Sequence, residues 1–208
     1  MEQLTSLFPD LSMDQLNKFG QLKALYEEWN AQINVISRKD IDQFNGRHLL
    51  HSLAIGLFTS FKPNAKVLDV GTGGGFPGIP LAILYPECQF LLIDSIGKKI
   101  KVVQDVADRL GLQNVKAQHI RAENVDGQFD YVVSRAVTRL ERFYGWISSK
   151  IDYSRFANSG LYALKGGDLD EEIKEFETSY KQLQVNRFYL NKYLKDEFFE
   201  TKQLLHIN

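Results

Sequence analysis

The sequence predicts an α/β fold, an open and mostly parallel sheet with helices packed around it and a helical cover ahead of it. Three features of the chain predict this. From residue 66 onward, short apolar runs alternate with helical patterns. The run Gln89-Phe90-Leu91-Leu92-Ile93 is continuous rather than alternating in its apolar residues, as expected of a parallel strand buried on both faces. Glycines and charged residues recur directly after these runs, at the carboxyl ends of strands, where open sheets bind ligands.

With 208 residues and 44% hydrophobic content, the chain is long enough for one domain with a full core, residues 61–208, preceded by a helical extension over 1–60. A net charge of −1 argues against a generally basic nucleic-acid coat and leaves room for a local patch. The single cysteine, Cys88, excludes an internal disulfide, suits a reducing compartment and reads as a small packing residue. No apolar run approaches the length of a membrane span, and Met1-Glu2-Gln3-Leu4 lacks a basic region followed by an apolar one. A soluble, cytoplasmic monomer is expected.

Residues 12 to 30 place Leu16, Phe19, Leu22, Leu25, Tyr26 and Trp29 at three- and four-residue steps, an amphipathic helix with Ser12 as its cap and with Asn30 and Asn34 where it ends. A second helical pattern follows Arg47-His48, with Leu49, Leu50, Leu53, Ala54 and Leu57 inward. Between them, Ser37-Arg38-Lys39-Asp40 and Arg47-His48 read either as a solvated edge or as phosphate contacts. His48 and His51 stand three apart, a spacing that metal sites use, but nothing completes a ligand set, so no metal is expected.

Lys66 to Val70 is a strand, and Pro77 fits a first-turn position of the helix that Ile79 to Leu84 continue and Pro86 stops. Asp94-Ser95 closes the next strand. A helix from Gly97 to Leu110 carries Lys98, Lys99 and Lys101 on its outer side, and Gly111 ends it. Val115 to Ile120 delivers Arg121-Ala122-Glu123 into a loop; Phe129 to Ser134 is followed by Arg135-Ala136; Leu161 to Leu164 is followed by Lys165 and two glycines. Arg139 and Arg142 read as a solvated helix face, and Phe143, Tyr144 and Trp146 as core. Val185 to Leu190 and Thr201 to Ile207 look like two closing strands.

The glycine stretch after Asp69 allows more than one ligand. Gly73-x-Gly75-x-x-Gly78 satisfies the dinucleotide spacing, with Asp94 about twenty residues on. Asp69-Val70-Gly71-Thr72-Gly73-Gly74-Gly75 resembles the first motif of methyltransferases that use S-adenosylmethionine. Both ligands carry a ribose that Asp94 could grip.

Trp29-Asn30 with Asn34, Arg47-His48-Leu49-Leu50-His51-Ser52, Asp69 to Leu81, Leu92 to Lys99, Ser134-Arg135-Ala136 and Tyr162 to Gly166, in that order, resemble the bacterial 16S ribosomal RNA guanine-N7 methyltransferases, formerly called glucose-inhibited division protein B. The resemblance implies a Rossmann-like class I methyltransferase sheet, mostly parallel with an antiparallel C-terminal edge. It implies S-adenosyl-L-methionine as cofactor and 16S rRNA or the small ribosomal subunit as partner. It sets Gly71 and Gly73 against the methionine end, with Phe76 lining the same pocket. Asp94 would take the ribose hydroxyls, and Ala122-Glu123 would flank the adenine. Arg135 is expected at the cofactor–RNA junction, and Arg121 and Lys165 match basic positions that serve RNA binding or catalysis. The chain departs from the family pattern at His51, where aspartate is frequent, and at Lys202, where an arginine would offer a planar fork.

Guanine N7 carries a free lone pair, so such a transfer needs placement and exclusion of water rather than a general base. Structural alternatives for the cations are an ion pair of Arg135 with Glu123 and a strand-end cover for Lys165. Functional alternatives are a nicotinamide-dependent oxidoreductase and a non-catalytic ribosome-assembly binding factor.

Overall fold

The computed structural model describes residues 2–33 and 35–208. Asn34 and the side chains of Arg38 and Lys39 lie outside the described residues, and with them the helix-end reading of Asn34 and the phosphate reading of the two cations.

Short helix α1 (Glu2–Leu7) precedes α2 (Met13–Asn30), whose start is set by a reciprocal cap: Ser12 Oγ accepts from the Gln15 amide and Gln15 Oε1 accepts from the Ser12 amide. The buried side of α2 carries Phe19, Leu22, Leu25 and Tyr26. After the one-turn α3 (Arg38–Ile41) the chain makes a wide π-helical turn, Asn45–Leu50, followed by α4 (His51–Leu53) and a tighter 3₁₀ turn, Ala54–Leu57. The helix expected after Arg47 is therefore three helix types in sequence, with Leu49, Leu50, Leu53 and Ala54 buried as predicted.

The sheet contains β1 (Lys66–Val70), β2 (Gln89–Asp94), β3 (Val115–His119), β4 (Tyr131–Arg135), β5 (Gly160–Gly166), β6 (Val185–Tyr189) and β7 (Lys202–Ile207), in the order β3-β2-β1-β4-β5-β7-β6. Its first five members in that order are parallel; β7 runs antiparallel to both β5 and β6. Helices α5 (Gly78–Leu84), α6 (Gly97–Arg109), α7 (Leu140–Ile147) and α8 (Asp170–Ser179) connect the strands. Successive strand residues face opposite layers. Val67 joins one core with the N-terminal helices, α5 and α6, and Leu68 joins the other with α7 and α8. The N-terminal cover is tied down by polar contacts as well: Gln15 Nε2 donates to the Ile83 carbonyl at 2.9 Å and Trp29 Nε1 to Asp105 at 2.8 Å.

One sequence expectation needs correction here, and one helix has no counterpart in the sequence reading. Pro77 is not in the first turn of α5 but caps it from outside; Pro80 occupies the first turn instead. Residues 170–179 form a helix not assigned from the sequence, although Leu169, Ile173, Phe176 and Tyr180 stand at helical spacing and pack into one core; three acidic residues occupy its first turn. Among the described residues, no helix is long and apolar enough to cross a membrane.

Candidate functional site

The strand order reverses at β1: the chain moves outward through β2 and β3, then returns to place β4 on the other side. A crevice outside the carboxyl ends of the strands is expected at such a point. A cavity of about 660 Å³ lies there, walled by the ends of β1, β2, β3 and β4, by α7, and by Val35, Ile36 and His48 from the cover.

The loop after β1 is built around Asp69, a fully buried carboxylate. Its Oδ2 accepts from the Thr72 hydroxyl at 2.6 Å and from the Gly78 amide at 2.8 Å, which closes the loop onto the start of α5, while Oδ1 has no hydrogen-bond partner among the described residues. Burial pushes the Asp69 carboxyl up to about 7, against the opposing effect of those two hydrogen bonds and the charge of Arg135. Sequence reasoning assigned Asp69 no role, although a lone carboxylate in an apolar strand was the available signal.

The glycines divide by use. Gly71, Gly73 and Gly74 line the cavity; Gly75 and Gly78 do not. Gly73 has φ +59°, and open space surrounds the position its Cβ would take, so this backbone can lie directly against a ligand. At Gly78 a Cβ would stand 2.6 Å from Asp69 Oδ2 and from Leu92, so this glycine serves helix packing. At Gly74 it would meet Val35 at 2.2 Å, and the Gly74 carbonyl accepts from the buried Tyr26 hydroxyl at 2.6 Å. The spacing that suggests a dinucleotide thus combines one cavity-facing glycine with two that pack.

Asp94 ends β2 with its carboxylate braced across the loop: Oδ2 accepts from the Gly73 amide and Oδ1 from the Ile96 amide, both at 2.9 Å. Each oxygen retains a lone pair for a hydroxyl donor. Lys99 Nζ lies 4.0 Å from Oδ2 and lines the cavity, which corrects its reading as an outer-face lysine. Beyond β3, Arg121, the buried Ala122 and the exposed Glu123 complete this end of the cavity. From α7, Arg142 and Trp146 also reach the wall, with the Arg142 guanidinium 5.5 Å over the indole. Arg142 and Arg139, which pairs with Glu175, are exposed as read, Phe143 and Tyr144 are buried as read, and Trp146 is half-buried, packed against the core while also reaching the cavity wall.

At the opposite end, Phe76 is nearly inaccessible and sits among Tyr26, Phe44 and His48 at centroid distances of 4.8, 5.9 and 5.2 Å. The Arg135 guanidinium lies 5.0 Å over the same ring. Burial pulls Arg135 down to about 10, so it stays protonated at neutral pH. Among the described residues it forms no ion pair with Glu123 or any other carboxylate; its hydrogen bonds go to Arg47 and His48.

Lys165 stands near the end of β5. It does not line this cavity. Its Nζ donates to the Thr138 carbonyl at 2.7 Å and pairs with Glu172, whose Oε1 also accepts from the Leu140 amide at 2.5 Å. His51 is buried edge-on against Phe198 and Phe199, and burial drives its imidazole well below the ordinary value. Lys202 Nζ lies 4.8 Å over the Phe198 ring. Among the described residues no group of three or more metal-ligating side chains is assembled.

The residues fit an elongated nucleoside ligand: open backbone at Gly73, a braced carboxylate at Asp94, apolar walls at Ile96 and Ala122, and an unpaired guanidinium at the far end. The chain matches the family model described as rRNA small subunit methyltransferase G over residues 15–199. It is 54% identical to ribosomal RNA small subunit methyltransferase G of Flavobacterium psychrophilum, covering 100% of this chain and 97% of that one. The protein of the same name from Cytophaga hutchinsonii is 51% identical, over 100% and 99%. Among solved structures, a ribosomal protein L11 methylase from Lactobacillus delbrueckii subsp. bulgaricus aligns with a TM-score of 0.59 at 18% identity, covering 76% of each chain, a likeness of fold.

Proposed function

The chain belongs to the rRNA small subunit methyltransferase G family, and on that premise we propose that it transfers a methyl group from S-adenosyl-L-methionine to N7 of a guanine in 16S ribosomal RNA of the small subunit. The observation that carries the activity is the likeness to named relatives along the whole chain.

On this reading the residues of the cavity take the following roles. Gly71 and Gly73 hold the methionine end, with Phe76 behind them; Asp94 accepts from the ribose hydroxyls through its free lone pairs; Ala122 and Glu123 flank the adenine. When bound, the cofactor supplies an electrophilic methyl on a sulfonium. Arg135 is the cation at the junction of cofactor and RNA, and Arg121, exposed at the rim, meets an RNA phosphate. Lys165 acts at one remove: with Glu172 and Thr138 it holds the segment between β4 and α7 against the strand end. What the chain contributes to the step is alignment of a lone pair with the methyl and removal of water, tasks that fit a site whose cations are fixed. Residues 1–60 act as the cover of the catalytic domain 61–208, and the enzyme works as a monomer in the cytoplasm.

The test is to incubate the protein with small subunits from a strain lacking it, in the presence of methyl-labelled S-adenosylmethionine, and to map the label. Label at one guanine N7 is the expected result. Tight cofactor binding without label in RNA would instead favour an assembly factor.

A further inference from the structure

The end of β4 presents a half-buried cation whose direct partners among the described residues are all neutral. Arg135 Nη1 donates to the Arg47 carbonyl at 3.3 Å, and Nη2 donates to His48 Nδ1 at 3.1 Å, while the guanidinium lies over Phe76. Both polar partners come from consecutive residues of the π-helical turn Asn45–Leu50, so the wide turn directs one carbonyl and one imidazole at the same fork. Arginine can only donate, so His48 must accept at Nδ1 and carry its proton on Nε2. That Nε2 is buried and has no partner among the described residues.

We infer that His48 is a positioning residue for methyl transfer, its Nδ1 fixing the plane of the Arg135 guanidinium over Phe76, so that the N-terminal cover completes the site rather than merely shielding it. The inference rests on the reading of Arg135 at the cofactor–RNA junction. The neutral imidazole it requires is the form the surroundings favour: burial, and then the charge of Arg135, push His48 down to about 4. The ring is also clamped in place, stacked on Phe44 at 6.0 Å and packed against Phe76 at 5.2 Å. A rigid acceptor removes rotational freedom from a side chain that otherwise has four rotatable bonds, and it does so without neutralising the charge that an anionic substrate group needs.

Two side chains separate this role from simple packing. Asparagine offers its carbonyl oxygen near the place of Nδ1, whereas glutamine offers it near the place of Nε2. His48→Asn, His48→Gln and His48→Leu are compared by thermal melting, by turnover on undermodified small subunits, and by the nitrogen resonances of the Arg135 guanidinium. The expected result is that His48→Leu and His48→Gln broaden or shift the Arg135 resonances and lower kcat about tenfold or more, while His48→Asn stays within a few-fold of wild type. In the Arg135→Ala background the His48 substitutions should cost nothing further. An unchanged Arg135 signal in His48→Leu overturns the inference, as does His48→Asn losing as much turnover as His48→Gln at equal stability. If Arg135→Ala keeps full turnover while His48→Leu loosens the guanidinium, the positioning contact stands and the assignment of Arg135 to methyl transfer falls.

Discussion

The glycines of the loop after β1 differ in what a methyl group would meet. At Gly73 the added Cβ enters open cavity and the cost is a left-handed backbone angle, about 1–2 kcal/mol. At Gly78 it collides with Asp69 and Leu92 in a packed interior. Gly78→Ala should therefore lower the melting temperature more than Gly73→Ala, whereas Gly73→Ala should lose more affinity for S-adenosylmethionine in calorimetry. Equal loss of both properties in both variants would contradict this division. Asp69 carries a second expectation. Its carboxyl holds a proton up to about pH 7 in the folded chain but only to about pH 4 when unfolded. Between those values the folded state binds the extra proton, so stability falls as pH rises across the window and levels off above it. Asp69→Asn keeps an acceptor for Thr72 and Gly78, and urea titrations should show a flatter dependence on pH over this range than in wild type. Identical slopes would mean that Asp69 does not titrate there.

At the scale of elements, Lys165 shows how a strand end can be organised without facing the main cavity. Its ammonium and the Glu172 carboxylate are both largely shielded, with side chains 13% and 15% exposed, and they join β5 to α8 while the Leu140 amide of α7 shares the same carboxylate. Removing one partner leaves the other charge poorly solvated, at a cost of about 2–3 kcal/mol or more. Lys165→Ala and Glu172→Ala should each lower stability, with a coupling in the double-mutant cycle of about 1 kcal/mol or more, and turnover should fall in step with the folded fraction. A selective loss of turnover in a fully folded Lys165→Ala would return Lys165 to the substrate. The position at the end of an apolar strand put Lys165 at the carboxyl edge of the sheet; which way the ammonium turns depended on Glu172 of α8, a partner whose approach no spacing within the strand encodes.

For the whole molecule, ligand binding and folding are linked because the cavity wall is drawn from both ends of the chain's first 150 residues. S-adenosylmethionine at about one hundred times its dissociation constant should add about 2.7 kcal/mol of stability. For a chain of this size that raises the melting temperature by roughly 5–10 °C. NAD at the same concentration should leave the melting curve in place, and a shift with NAD alone would reopen the dinucleotide reading.

Much of this was legible from local order along the chain. Strand and helix periods, the Ser12 cap, the glycine loop and the acidic end of β2 are interactions between near neighbours or properties of one element, so spacing is enough to reveal them. The sequence by itself thus determined the α/β class, the strand edge at which the cavity opens and the residues proposed to hold the nucleoside of the cofactor. Tertiary structure alone decided the rest: that Arg135 meets His48 across 87 positions, that Lys99, Arg142 and Trp146 face the cavity, and that Lys165 does not. The reason is geometric. A long side chain can reach in several directions from a given backbone position, and the choice among them is made by partners on distant segments, which no local periodicity encodes.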